Sequence, residues 1–397
     1  MGRKTFLAFC LFAPWLCLAQ WGCTDPQANN FDPNAILNDG SCQYNTTNYS
    51  MTLVQNLNDV LQENSGLVRV GNYLYTVNDS GGENLIYELD TLGNLLRSIE
   101  VQGATNIDWE ALTSNSTHLF IGDFGNNNGN RQDLCLYRVI KSELIQDTVQ
   151  AEKLSFYWSD QIDFTPSPNA TDYDCEAFIA SEDSIRLFTK NWNNLGSNVY
   201  QLPNYWTDTI PAQRIDSFFV NGLITDACQS PQGNQVYLLG YKNNGNNFYT
   251  SFIWNLWDFN GSHLFSGNKR RIEIGNVLTV SQTESIALSS THQGLVSAEK
   301  VVSVITIAPK LFSFDFNQYF TYTASPEIIS NPPYSIIYHP AIHAHEVKIN
   351  SSFKRCFLSD MTGIILSQSD ESGSMITSAH GPVLLTMNDN TCVLFLP

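Results

Sequence analysis

The stretch NIDWEALTSNSTHLFIGDFGNNNGNR, Asn106 to Arg131, carries the pattern from which the fold can be read. An acid, Glu110, opens a short apolar strand, EALT. A stronger strand, HLFIGD, follows after a few polar residues, and then comes a loop of glycine and asparagine. Short runs of branched and aromatic residues bounded by Gly and Asn are the signature of antiparallel β-structure. LCLYRV and KLSFYW complete a block of four candidate strands.

Working outward, the block recurs. Glu63 anchors QENSGLVRVGNYLYTVND, Glu176 anchors YDCEAFIASEDSIRLFTKNW, Asp226 anchors ITDACQSPQGNQVYLLGYKN and Glu284 anchors SQTESIALSSTHQGLVSAEKV. Successive anchors lie 47 to 66 residues apart, the span of four strands and their loops, as in a propeller blade. We therefore expect an all-β protein: a five-bladed β-propeller over residues 50–329, with a C-terminal small β-sandwich. Six blades result if the segment Leu311 to Ile329 adds one without an anchor, and an array of β-sandwiches is the competing fold. The segment near Ser50 to Val54 is the candidate strand to close the ring.

The flanks are of another kind. Residues 1–19 read as a signal peptide, with Arg3 and Lys4 ahead of the apolar run Phe6 to Ala19. A run of that length is short for a bilayer span, and no later segment reaches spanning length, so no transmembrane segment is expected in the mature chain. Residues 20–44 hold GCTDPQANNFDPNAILNDGSC, too short to fold on an apolar core, so the pair Cys23 and Cys42 is expected to close it. Its oxygen donors Asp25, Asp32, Asn34 and Asp39 fit either a calcium loop or a series of Asx-turns. Cys356 and Cys392 bracket much of the last segment, 334–397, and are expected to pair. Pairing among Cys135, Cys175 and Cys228 stays open.

The chain carries 38 acids against 20 Lys and Arg, a formal charge of −18. That lacks the positive footprint a nucleic-acid backbone requires, so no nucleic-acid partner is expected.

Three resemblances follow. NDSGGENLIYELDTLGNLL, with the quoted stretch, resembles secreted propellers related to the esterase-like domain of phytases and to SdiA-regulated-type proteins. The matching positions are Asn78, Asp79, Ser80, Gly81, Asp90, Gly93, Asp108, Trp109, Glu110, Gly122, Asp123, Gly125, Asn127, Arg131 and Tyr137. The resemblance implies a propeller and no assured reaction. The Gly22–Cys42 segment resembles a Cys-bounded module of secreted and surface proteins of the Bacteroidota, with Phe31 where Tyr is usual. Tyr338, His339, Pro340, Val347, Ile349, Asp360, Gly363 and Gly381 resemble a C-terminal sorting domain of type IX secretion. The ending Phe-Leu-Pro departs from that pattern. This resemblance implies the type IX secretion machinery as a partner and an extracellular or cell-surface location.

Two accounts of the channel acids Glu63, Glu110, Glu176, Asp226 and Glu284 are open. Each carboxylate can accept backbone N–H groups from the next blade, or some of them can gather a divalent cation such as calcium, with Glu110 among the ligands. The rim residues Asp79, Asp108, Asp123, Asn127 and Arg131 are expected to order a tight loop, with an Asp123–Arg131 pair. Ser80 lies outside a nucleophile elbow and is not read as catalytic. Functionally, the chain reads as a secreted or surface propeller binding a glycan, protein or cation. The alternatives are a calcium-dependent phosphoesterase or esterase-like hydrolase, and a structural component of an extracellular assembly.

Overall fold

The computed structural model describes residues 20–320, apart from 207–208, 246–247 and 303–305, and seven strands between Tyr334 and Leu396. The signal-peptide segment lies outside the described residues. The chain divides into two compact units, residues 1–321 and 322–397.

The first unit is almost wholly β. Its main body consists of five four-stranded antiparallel sheets taken in chain order. The innermost strands are Asn64–Val70, Trp109–Ser114, Cys175–Ala180, Leu223–Gln229 and Gln282–Leu288. Each packs beside the next, and the fifth packs beside the first, so the sheets form a closed cycle around an axis. The Lys310–Asp315 strand is the third of the fifth sheet, and Thr52–Asn56 pairs antiparallel with it. The chain start thus completes the last sheet and closes the ring of this β-propeller.

Burial of both faces drives the arrangement. Every gap between neighbouring sheets is filled by its own apolar cluster. Phe120, Phe124, Phe156 and Phe178 lie between the second and third sheets. Leu57, Leu67, Leu89 and Leu311 fill the gap between fifth and first. Sheets buried on both faces tolerate continuous apolar runs such as QVYLLGY, because neither face meets water. The second and third sheets are also joined at their outer edges, where Glu152–Trp158 pairs in parallel with Ile210–Phe218.

The Cys-bounded module belongs to this unit. Cys23 and Cys42 form a disulfide with Cα atoms 4.8 Å apart. Thr47–Asn48 then pairs in parallel with the outer strand of the fourth sheet. Arg270 of that strand donates to Gln27 at 2.8 Å, and Tyr44 packs on Trp257 with ring centroids 5.8 Å apart. Cys135 and Cys175, both buried, and the half-buried Cys228 are free thiols.

The second unit contains a three-stranded and a four-stranded antiparallel sheet. Cys356 pairs with Met387, and Cys392 pairs with Leu385 on the opposite side of that intervening strand. Two strand spacings, about 9.6 Å, exceed the Cα reach of a disulfide. The backbone therefore gives no support to the Cys356–Cys392 pairing, and both side chains lie outside the described residues, as do Asp360 and Gly363 of the sorting-type pattern.

Candidate functional site

A β-bulge recurs near the start of every inner strand. The register against the second strand slips by one residue at Gly66, Glu110, Glu176, Thr225 and Glu284. An extra residue kinks the strand and re-aims its own side chain. Glu110, Glu176 and Glu284 therefore hold equivalent positions in three sheets. Gly66 serves the first sheet with φ +71°, and a Cβ there would run into the backbone of Ala111 and Leu112.

The bulge corrects two sequence anchors. Glu63 lies three residues ahead of Gly66 and is exposed. Asp226 lies one residue past Thr225, and its fully buried carboxylate accepts the N–H groups of Ile286 in the next sheet and of Ala227, both at 2.8 Å. Asp226 matches the account of an acid tying neighbouring sheets, whereas the three bulge glutamates do not.

Around the bulges stands an acidic mouth. Asp79, Asp108 and Glu110 each offer a carboxylate oxygen, all within 4.8 Å of one another. Asp79 accepts the N–H of Ser80. Glu110 is only 6% exposed, and its carboxylate accepts no hydrogen bond from the described residues. Gly125 lies against Asp108 and Glu110, and a side chain there would displace both carboxylates. Glu176 receives Lys190, a buried ammonium packed 5.0 Å from the Trp192 ring and 5.2 Å from that of Tyr241. Gln282 donates to Glu284 at 2.7 Å and to Glu299 at 3.4 Å.

Burial and mutual repulsion raise the proton affinity of these acids. Loss of water, followed by the repulsion of Asp79, pushes Asp108 up to about 7. Burial takes Glu284 to about 7 against the pull of Lys190. Glu110 and Glu176 are raised as well, first by burial; for Glu110 the leading neighbour is Glu176. Lys190 is held well above its usual value, because Glu176 and the other acids outweigh its own desolvation.

Of the rim residues, Asp123, Asn127 and Arg131 hold the loop through buried hydrogen bonds, while Asp79 and Asp108 face the acidic mouth. Asp123, with no exposed surface, accepts Arg131 at 2.9 Å and the backbone N–H of Asp108 at 3.1 Å. Arg131 also donates to the Gly125 carbonyl at 2.9 Å. The Asn127 amide nitrogen, oriented as its surroundings require, donates to both oxygens of Asp174. Ser80 is exposed, and its backbone N–H donates to Asp79.

The oxygen donors of the N-terminal module do not converge. Asp25, Asp32 and Asp39 each accept the N–H two residues on, at 2.9 Å, which is the Asx-turn alternative. Asp25 also accepts the Tyr44 hydroxyl at 2.6 Å, and Asn34 donates its own N–H to Asp32.

Asp174, Lys190 and Tyr241 were not among the sequence candidates. The repeated Asp-x-Glu of Asp108–Glu110 and Asp174–Glu176 was a visible signal for the first of them.

No protein-family model matches the chain, and no curated protein matches it. Among solved structures it is similar to the catalytic domain of a Coprinopsis cinerea GH62 α-L-arabinofuranosidase, at 9% identity over 68% of this chain and 98% of that one, TM-score 0.42. It is similar to Bacteroides ovatus xyloglucan PUL GH43B, at 9% identity over 88% and 90%, TM-score 0.39. A match to a mitotic checkpoint complex covers 63% of this chain and 62% of that chain at 13% identity, TM-score 0.27. These likenesses are remote and assign no activity.

Proposed function

We propose that the chain is an extracellular β-propeller whose acidic mouth binds a divalent cation through Asp79, Asp108 and Glu110, and presents it to an extracellular glycan or protein. The observation that carries this reading is Glu110, a buried carboxylate without a donor among the described residues, with two other carboxylates within 4.8 Å. Burying such a group is costly unless a cation or proton compensates it. An all-oxygen set suits calcium or magnesium, and calcium takes about six to eight oxygens, so coordination positions remain for water or a ligand. The Cys23–Cys42 disulfide supports an oxidising compartment. Delivery by the type IX machinery is proposed on the C-terminal sequence pattern alone.

Calorimetric titration of the full chain with calcium chloride tests the reading. One ion per chain is expected, and Glu110→Gln should lose at least tenfold in affinity. No heat, together with no metal retained on elemental analysis, would overturn it.

A hydrolase is the second reading. Two carboxyls poised near neutrality, Asp108 and Glu284, have the proton affinity required of a general acid. Turnover of aryl glycosides or phosphate esters, abolished by Glu284→Gln, would favour it.

A further inference from the structure

We propose that Lys190 is a built-in counter-ion that confines exchangeable cation binding at the mouth to Asp79, Asp108 and Glu110. The inference rests on the cation reading above. It comes from comparing two sheets of the same molecule.

The bulges at Glu110 and Glu176 put the second and third sheets in a common register. Trp109 pairs with Asp123 where Cys175 pairs with Thr189. One step further out, Asp108 is therefore equivalent to Asp174; the Asp174 carbonyl accepts the N–H of Lys190 and the Asp108 carbonyl that of Gly125, so Gly125 stands where Lys190 does. The two sheets carry the same Asp-x-Glu element, but what neutralises it differs.

In the third sheet every acid is provided for. Asp174 accepts the N–H of Asn126 at 2.7 Å, that of Cys175 at 3.0 Å and the Trp192 indole N–H at 2.7 Å. Glu176 accepts the Lys190 ammonium, which the Trp192 and Tyr241 rings flank. In the second sheet the place of Lys190 is taken by Gly125, which lies directly against the carboxylates of Asp108 and Glu110, while Phe124 is fully buried against Phe178 at 5.3 Å. The carboxylates of Asp108 and Glu110 accept no hydrogen bond from the described residues, and Glu110 is more than nine-tenths buried. A glycine supplies no charge, so a cation for this half of the mouth must come from solution. The third sheet carries its own cation on a side chain. The fifth sheet has Glu299 at the equivalent position, another acid that interacts with Lys190.

Removing the tethered charge should therefore open a second cation position beside Glu176. The test is the number of calcium ions bound per full-length chain at saturation, by equilibrium dialysis and elemental analysis, for wild type, Lys190→Met and Lys190→Arg. Wild type and Lys190→Arg should bind one and Lys190→Met two. Lys190→Met should also depend more steeply on calcium for its melting temperature. A folded Lys190→Met that binds one ion overturns the inference and leaves the cation reading standing. A Lys190→Met that stays unfolded in saturating calcium while Lys190→Arg folds also overturns it, because a free cation then cannot replace the ammonium. A wild type that binds no ion overturns the cation reading, and this inference with it.

Discussion

The Asp226 carboxylate of the fourth sheet accepts the backbone N–H of Ile286 in the fifth at 2.8 Å. Its other oxygen accepts the N–H of Ala227 at the same distance. One buried acid thus links two neighbouring inner strands while standing outside the bulge positions that face the mouth. Asp226→Ala leaves a buried donor unmet and should destabilise the protein by about 2–4 kcal/mol, with Asp226→Asn costing less because one oxygen remains. Calcium stoichiometry should not change. Thermal melts of the two variants, paired with calcium titrations, check both halves of the expectation.

The acidic mouth makes stability depend on pH. Asp108 and Glu284 rise from ordinary carboxylate values to about 7 in the folded chain. An acid with a raised folded-state pKa binds its proton more tightly when folded. Its contribution is complete below the unfolded value, near 4, and is lost as pH climbs through about 7. Metal-stripped protein should therefore melt at progressively lower temperature from about pH 5 to pH 8, and saturating calcium should flatten that fall. Calorimetric melts across this range decide it; a metal-free melting temperature that rises with pH would contradict the assignment.

Arg131 neutralises Asp123, whose carboxylate has no exposed surface, and braces the Gly125 carbonyl. Arg131→Met strands a buried charge, at a cost of about 3–5 kcal/mol. Because Gly125 backs Asp108 and Glu110, the variant should also weaken calcium binding. Hydrogen exchange at the amides of Gly125 and Asn126, measured beside calcium affinity, reports whether loop order and binding are lost together.

The disulfide at Cys23 and Cys42 holds a module that covers the outer edge of the fourth sheet. With a separation of 19 residues, its loss as Cys23→Ser with Cys42→Ser should cost about 3 kcal/mol. Limited proteolysis should then cut within residues 20–48 of the variant and spare the wild type. Equal resistance of the two would mean that Arg270, Tyr44 and the Thr47–Asn48 pairing hold the module without the covalent link.

Much of this was legible in the chain alone. Recurring runs such as EALT and HLFIGD report strands because a strand buried on both faces must be apolar and its turns must be polar or glycine. Those are local demands. Glu110, Glu176 and Glu284 were recognisable for the same reason: they open apolar strands, where an acid is out of place. The partner of each acid was not legible. Glu63 and Asp226 look like the other anchors, yet a bulge shifts side-chain direction by a single residue, and the shift is decided by pairing with a distant strand. Asp79, Asp108 and Glu110 come from two different sheets and meet only when the ring brings the sheets together. Lys190 reads as an ordinary charge at a strand end until the third and fourth sheets enclose it between Trp192 and Tyr241. The sequence by itself determined the strands, the module's disulfide and the excess of acid. Tertiary structure alone decided which acids share a space, because burial and closeness between sheets set their energies, and neither is a property of any one segment.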